Sequence, residues 1–163
     1  MPTTVFDSIR RLLTDAGVPF REVHHAPTRT SEESARARGE PLHVGGKALL
    51  VKVGDDFRLF VLSAALQFDS STVRADFGVR KTRFATPDEL RKLTGLTPGS
   101  VPPFGRPVLP FDLFVDPSVL ANERIAFNAG SLTDSIVMAS KDWAHVACPT
   151  TLLCAMIPAK SND

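Results

Sequence analysis

Two apolar runs, GGKALLVKVG (45–54) and FRLFVLSAA (57–65), meet across the turn residues Gly54, Asp55 and Asp56. Gly and Asp favour tight reversals, so the pair predicts a β-hairpin. Its central positions are apolar on both faces. A strand pair with no polar face belongs in the middle of a sheet, and that placement constrains the fold more than any other feature of the chain.

The flanking segments supply the rest of a mixed architecture. Val5, Phe6, Ile9, Leu12, Leu13 and Ala16 recur at helical spacing before Gly17, which predicts an amphipathic helix over 4–16. VPFREVHH reads as a strand, and TSEESARAR as a short helix opened by a Thr30/Glu33 capping pattern and closed by Gly39. DSSTVRADFG predicts a helix and KTRFA a strand. TPDELRKLTG predicts a helix with complete signals: Thr86 as cap, Pro87 in the first turn, Glu89 to close the box and Gly95 at the exit. FDLFVD, ERIAFNAG and DSIVMAS read as three further strands, with PSVLAN and SKDWAHVA as short helices. Hairpins with interspersed helices argue for an α+β fold with a mixed sheet rather than a doubly wound parallel one. At 163 residues, 43% of them hydrophobic, one domain over 1–163 has enough apolar material for a core.

The formal net charge is +1, which excludes the strong overall field of a highly basic nucleic-acid binder. Of the 19 Lys and Arg, 15 precede residue 93, against 12 of the 18 acids, so the first part carries about +3 and the remainder about −2. That asymmetry fits a local phosphate-binding patch and equally a solvated face. Cys148 and Cys154 lack partners at zinc spacing and read as free thiols of a reducing cytoplasm. MPTTVFDSIRRLL contains an acid and no uninterrupted apolar run, and LLCAMI is too short to span a bilayer, so nothing addresses the chain to a membrane or for export.

GxSxG, HExxH, P-loop and GxGxxG motifs are all absent, which removes the familiar nucleophile, metalloprotease and nucleotide templates. His24 and His25 are adjacent. On a strand they point to opposite faces and would not ligate one ion together, which leaves a single histidine, among His24, His25 and His43, at the edge of a site. Lys47 is more informative, because the period of two puts it in line with Leu49, Val51 and Val53. It reads either as a side chain that snorkels back to water or as a fixed cation at a pocket rim, facing a phosphate or a polarised carbonyl. TPGSVPPFG (97–105) holds Pro98, Pro102 and Pro103, which remove N–H groups and leave those of Gly99, Ser100, Val101, Phe104 and Gly105. Such a stiff turn serves either as a connector or as a set of fixed donors for a developing oxyanion.

Taken in order, HAPTRTSEE (25–33), GGKALLVK (45–52), RFATPDELRKLTG (83–95), GSVPPFG (99–105), Asp116 of FVDPS and AFNAGSLTDSI (126–136) resemble the YbaK/ProX family of trans-editing aminoacyl-tRNA deacylases. That family is related to the editing domain inserted in bacterial prolyl-tRNA synthetases, and the PPF and FNAG runs are similar to its stand-alone YeaK-like branch. The resemblance implies a barrel-like, largely antiparallel sheet flanked by short helices. It also implies an enzyme that hydrolyses the ester between a wrongly attached amino acid and the terminal adenosine of a tRNA, with no metal or cofactor. Lys47 then positions the substrate through its carbonyl or the terminal phosphate. The backbone from Gly99 through Ser100 and Val101 to Pro103 cradles the aminoacyl group. Thr30, Phe104, Asn128, Ala129, Gly130 and Ser131 line the pocket.

An activated ester needs placement and electrostatics more than a protein nucleophile, so the missing triad fits this chemistry. Ala48 after the lysine and the run Ser131, Thr133, Asp134 and Ser135 after the glycine turn depart from some relatives, and leave serine, threonine, alanine or 2-aminobutyrate as candidate residues. Arg29, Arg36 and Arg38 on one side, and Arg80, Lys81 and Arg83 on another, are candidates for meeting the tRNA; both groups also read as solvated faces. So modest a surface predicts weak, salt-sensitive binding, with affinity lent by a synthetase or elongation factor. A non-catalytic adaptor of the same fold, and an unrelated pocket protein using Lys47 as an anion hook, are the other readings.

Overall fold

The computed structural model describes residues 4–158, so the two ends of the expected 1–163 domain, residues 1–3 and 159–163, lie outside the described residues. Helix α1 (Val5–Asp15) starts at Thr4, whose side chain accepts from the Asp7 N–H, and buries Ile9 and Leu13 completely. Burying each such side chain stabilises by about 1.5–3 kcal/mol. Strand β1 (Phe20–His24) follows, and then α2 (Ser31–Arg38), capped by the Thr30 hydroxyl and ended by the left-handed Gly39. A 3-10 turn over Leu42–Val44 leads into β2 (Gly46–Val53).

Strand β3 (Asp56–Ser63) returns along β2 in antiparallel register from Gly46↔Ser63 to Val53↔Asp56. The short β4 (Gln67–Phe68), α3 (Ser70–Phe77) and β5 (Thr82–Phe84) come next. Helix α4 (Pro87–Thr94) carries the full reciprocal box between Thr86 and Glu89. Beyond the glycine-proline turn lie β6 (Leu113–Val115), α5 (Pro117–Leu120), β7 (Arg124–Asn128), β8 (Asp134–Ala139), α6 (Ser140–Ala147), β9 (Thr150–Thr151) and β10 (Ala155–Met156). The last two strands and β4 carry no alternating pattern long enough to read from sequence.

The hairpin is central, as its two apolar faces require. The five-stranded sheet runs β5-β2-β3-β6-β9, with β3, β6 and β9 mutually parallel and the other pairs antiparallel. On one face Leu50, Leu59 and Val61 pack with Ile125, Phe127, Ile136 and Met138 of a separate antiparallel sheet, β1-β8-β7, together with Ile9, Leu13 and Trp143. On the other face Val51, Val53 and Phe60 pack with Val73, Cys154, Phe77 and Phe114. Among the described residues no helix is long and apolar enough to cross a membrane.

The α+β mixed sheet flanked by helices is as expected, but the barrel-like closure is not formed. Among the described residues the strands divide into ladders of five, three and two, and the five- and three-stranded sheets share only a single parallel bridge, Gly45↔Ala126. Closure needs an unbroken ladder around the circuit. The two outer strands of the large sheet are three and two residues long, too short to extend it. What joins the sheets instead is side-chain packing at their closest approach: a Cβ on Gly46 would lie 2.6 Å from Ile125 Cδ1.

Candidate active site

A cavity of about 180 Å³ opens where the start of β2, the entry to α2 and the glycine-proline turn converge. Lys47 and Gly45–Gly46 form one wall, Thr28, Arg29, Thr30, Ser31 and Ser34 with Arg38 a second, and Gly99, Val101 and Asn128 a third. Among the described residues no carboxylate lines it.

Lys47 takes its place from the strand period. Its backbone pairs with Leu62, its side chain shares the face of Val51 and Val53, and its ammonium donates to the Leu66 carbonyl at 2.5 Å. One bond uses one of three ammonium hydrogens. Partial burial holds its pKa below the ordinary lysine range, opposed by the charge of Glu32.

The turn is held from behind, carbonyl by carbonyl. Asn128 Nδ2 donates to Gly99 O at 2.5 Å, the Gly130 N–H to Ser100 O at 3.0 Å, and Trp143 Nε1 to Pro103 O at 2.9 Å. Ser100 is buried, and both its N–H and its hydroxyl donate to Thr97 O. The Phe104 N–H turns to Pro102 O. Among the described residues, the amides of Gly99 and Val101 have no protein acceptor, and both residues line the cavity. Gly99 adopts φ +88, a left-handed conformation that side-chain-bearing residues avoid.

Of the residues named from sequence, Lys47, Gly99, Val101, Thr30 and Asn128 meet at one cavity. The others stand behind it. Ser100 and Pro103 are anchoring points of the turn, Phe104 and Ala129 are core residues, with Phe104 edge-on to Phe127, and Gly130 is a hydrogen-bond donor to the turn. Ser131 folds onto Thr133 at 2.9 Å. Its hydroxyl therefore serves its own turn and not the cavity. The hydroxyls that line the wall come from Thr28, Thr30, Ser31 and Ser34 instead. Thr28 and Ser34 bond each other at 2.7 Å and Thr30 caps α2, whereas the Ser31 hydroxyl has no protein partner among the described residues.

Arg38, expected at the surface, is only 8% exposed. Its guanidinium donates to Ser135 Oγ at 3.0 Å, to Asn128 Oδ1 at 2.9 Å and to Ala126 O at 3.5 Å. Burial lowers its pKa to about 10, with Glu40 opposing, so it stays charged at neutral pH without a carboxylate in contact. The signal was its spacing: Arg38 lies one turn after Ser34 and Ala35, on the small-residue face of α2. His24 reaches Asp134 at 2.8 Å, while His25 contacts Ser135 Oγ and Ala26 O, both at 2.8 Å. His43 is exposed on the 3-10 turn.

A pocket lined by Arg29, Arg38 and Lys47, with two amides that lack a protein acceptor among the described residues, suits an ester carbonyl flanked by a phosphate. The family described as the aminoacyl-tRNA editing domain matches residues 25–146. A multifunctional Ser/Thr-tRNA deacylase, ProXp-y of Escherichia coli (strain K12), is 35% identical over 144 residues, covering 85% of each chain. A proline–tRNA ligase of Macrococcus caseolyticus is 28% identical over 110 residues, 68% of this chain and 19% of that one. In fold, the crystal structure of a candidate trans-editing enzyme for prolyl tRNA synthetase superposes with a TM-score of 0.80 at 23% identity, covering 96% of this chain and 99% of that one. The chain belongs to the aminoacyl-tRNA editing domain family, the YbaK/ProX-like trans-editing deacylases, and is a hydrolase of mischarged tRNA.

Proposed function

We propose that the chain clears serine and threonine from tRNAs to which they do not belong, using the cavity between Lys47 and the glycine-proline turn. The observation that carries this reading is the pairing, across one small space, of a cation and two residues, Gly99 and Val101, where among the described residues the cation has no carboxylate partner and the two amides no acceptor. Fixed donors of this kind stabilise a developing oxyanion at little reorganisation cost. Water adds to the ester carbonyl, and the tetrahedral oxyanion is met by the turn amides. The ester C–O bond then breaks, with the proton from water passing to the ribose oxygen. Lys47 holds the terminal phosphate or the carbonyl in register, and the neighbouring ribose hydroxyl helps orient the water.

The side-chain preference rests on the hydroxyl-rich wall. Ser31 lines the cavity with a hydroxyl that has no protein partner among the described residues, which supports a bond to the hydroxyl of a seryl or threonyl group. A site built around such a bond discriminates more sharply than one that only measures a methylene, worth about 1–3 kcal/mol. The printed activity of the Escherichia coli relative agrees with this choice. With a net charge of +1, tRNA affinity is modest, and a synthetase or elongation factor partner would raise it.

The test is a deacylation panel of tRNAs mischarged with serine, threonine, alanine or 2-aminobutyrate, comparing the wild type with Lys47→Ala. Loss of serine and threonine by the wild type, slowed at least tenfold in the variant, is the expected outcome. Equal rates in the two proteins would remove Lys47 from the reaction.

A further inference from the structure

A second concavity, about 310 Å³ in volume, lies at the far end of the hairpin and collects Lys52, Arg74, Arg80, Lys81 and Arg83. They arrive from separate elements: Lys52 from β2, Arg74 from α3, Arg80 and Lys81 from the connection that follows, and Arg83 from β5 directly opposite Lys52 in register. Only Arg83 is neutralised, by a forked pair with Glu89 at 2.7 and 2.9 Å. Among the described residues the other four have no carboxylate within 4.0 Å. The acids nearest in sequence are Asp55 and Asp56 of the hairpin turn and Asp76 of α3, and Asp56 faces Arg58.

In a chain whose net charge is +1, four cations with no carboxylate partner among the described residues line one hollow, the Lys52 ammonium also lying 5.9 Å from the Phe57 ring centroid, and their mutual repulsion is one that a polyanion relieves. Strand β2 measures the distance from this hollow to the cavity. Lys47 and Lys52 are five residues apart, about 16 Å along an extended strand. The odd separation puts their side chains on opposite faces of β2, and β5 pairs only with Val51–Val53, so a single-stranded terminus leaving the cavity would pass around the part of the β2 edge that β5 leaves uncovered for the duplex behind it to reach the hollow.

We infer that the Lys52–Arg74–Arg80–Lys81 hollow seats backbone phosphates of the tRNA acceptor arm while the terminal adenosine occupies the cavity. The inference rests on the proposed reading of the cavity, and the experiment separates the two. Phosphate contacts position a nucleic acid without reading its sequence, so the hollow contributes affinity for any acceptor arm. Arg80 and Lys81 are exposed, so a double variant, Arg80→Glu with Lys81→Glu, leaves the core intact.

Two substrates are compared: full-length seryl-tRNA, and a seryl ester of the terminal CCA trinucleotide, which is too short to reach the hollow. The ratio of kcat/KM for full-length over short substrate should fall at least tenfold in the variant. Binding of uncharged tRNA should weaken similarly at low salt, with the slope of log K against log salt shallower by about 1.5, near 0.7–0.9 per lost phosphate contact. An unchanged ratio, or unchanged tRNA affinity and salt slope, overturns the inference. If the wild type hydrolyses neither ester, the cavity reading fails, and the binding measurement with uncharged tRNA still decides the hollow.

Discussion

Arg38 Nη2 donates to Asn128 Oδ1 at 2.9 Å, and this bond decides which end of the Asn128 amide faces the glycine-proline turn. A guanidinium only donates, so the amide oxygen is held toward Arg38 and the NH₂ group toward Gly99 O. A buried cation on α2 thereby fixes, through one side chain of β7, the peptide that leads into the Gly99–Val101 amides.

Asn128→Asp keeps the Arg38 contact but sets a carboxylate oxygen against Gly99 O. Loss of that hydrogen bond with repulsion in its place amounts to about 1–3 kcal/mol, so deacylation should slow roughly 10- to 100-fold. The ion pair formed with Arg38 should hold the melting temperature near the wild-type value. Rate assays and thermal melts on the same preparation check both halves, and an unchanged rate would separate Asn128 from the turn.

Lys47→Met should abolish most activity and make the protein no less stable at neutral pH. Burial lowers the Lys47 pKa in the folded chain relative to the unfolded one. The unfolded state then binds more protons between the two values, so this group's contribution to stability rises with pH across that window. Below the window it is a standing penalty, which the variant lacks. Denaturant melts of both proteins at rising pH should show the variant's advantage shrinking toward the ordinary lysine range. A wild type that loses stability relative to the variant over the same interval would contradict the assigned shift.

Ser31→Ala should change selectivity more than turnover. Ser31 carries the one cavity hydroxyl without a protein partner among the described residues, and removing it takes away a bond to seryl and threonyl substrates and nothing from alanyl ones. The preference for seryl- over alanyl-tRNA should drop about 5- to 30-fold, corresponding to a bond of roughly 1–2 kcal/mol. Competition assays with both charged tRNAs measure it directly, and a constant preference would move recognition elsewhere on the wall.

Asp116→Ala should destabilise. The Asp116 carboxylate accepts from the Ser118 N–H at 2.9 Å, capping α5, and from the N–H groups of Cys154 and Ala155 at 2.9 and 3.0 Å. Stripping three backbone donors of their acceptor, one of them buried, costs about 3 kcal/mol, or roughly 6–12 °C in melting temperature. Deacylation at room temperature should stay within a few-fold of wild type. A variant that melts with the wild type would assign Asp116 a role other than stitching the C-terminal strands to the sheet.

The sequence alone determined whatever depends on short spacings. The two-faced hairpin, the parity that aligns Lys47 with Val51 and Val53, the box around α4 and the stiffness of the 97–105 turn are local consequences of period, caps and fixed φ. Tertiary structure decided what those elements face. Arg38 looked like one of several surface arginines because charge favours exposure in general. It is buried because its guanidinium reaches the β7–β8 pair, where Asn128 and Ala126 O of β7 and Ser135 of β8 supply its acceptors. Phe104 and Ala129 joined the core rather than the cavity wall for a related reason: a loop or strand end has two sides, and only its distant neighbours determine which side is left open. The sheet stayed open for the same cause, since closure depends on ladders between strands far apart in the chain, and no local period encodes where those ladders stop.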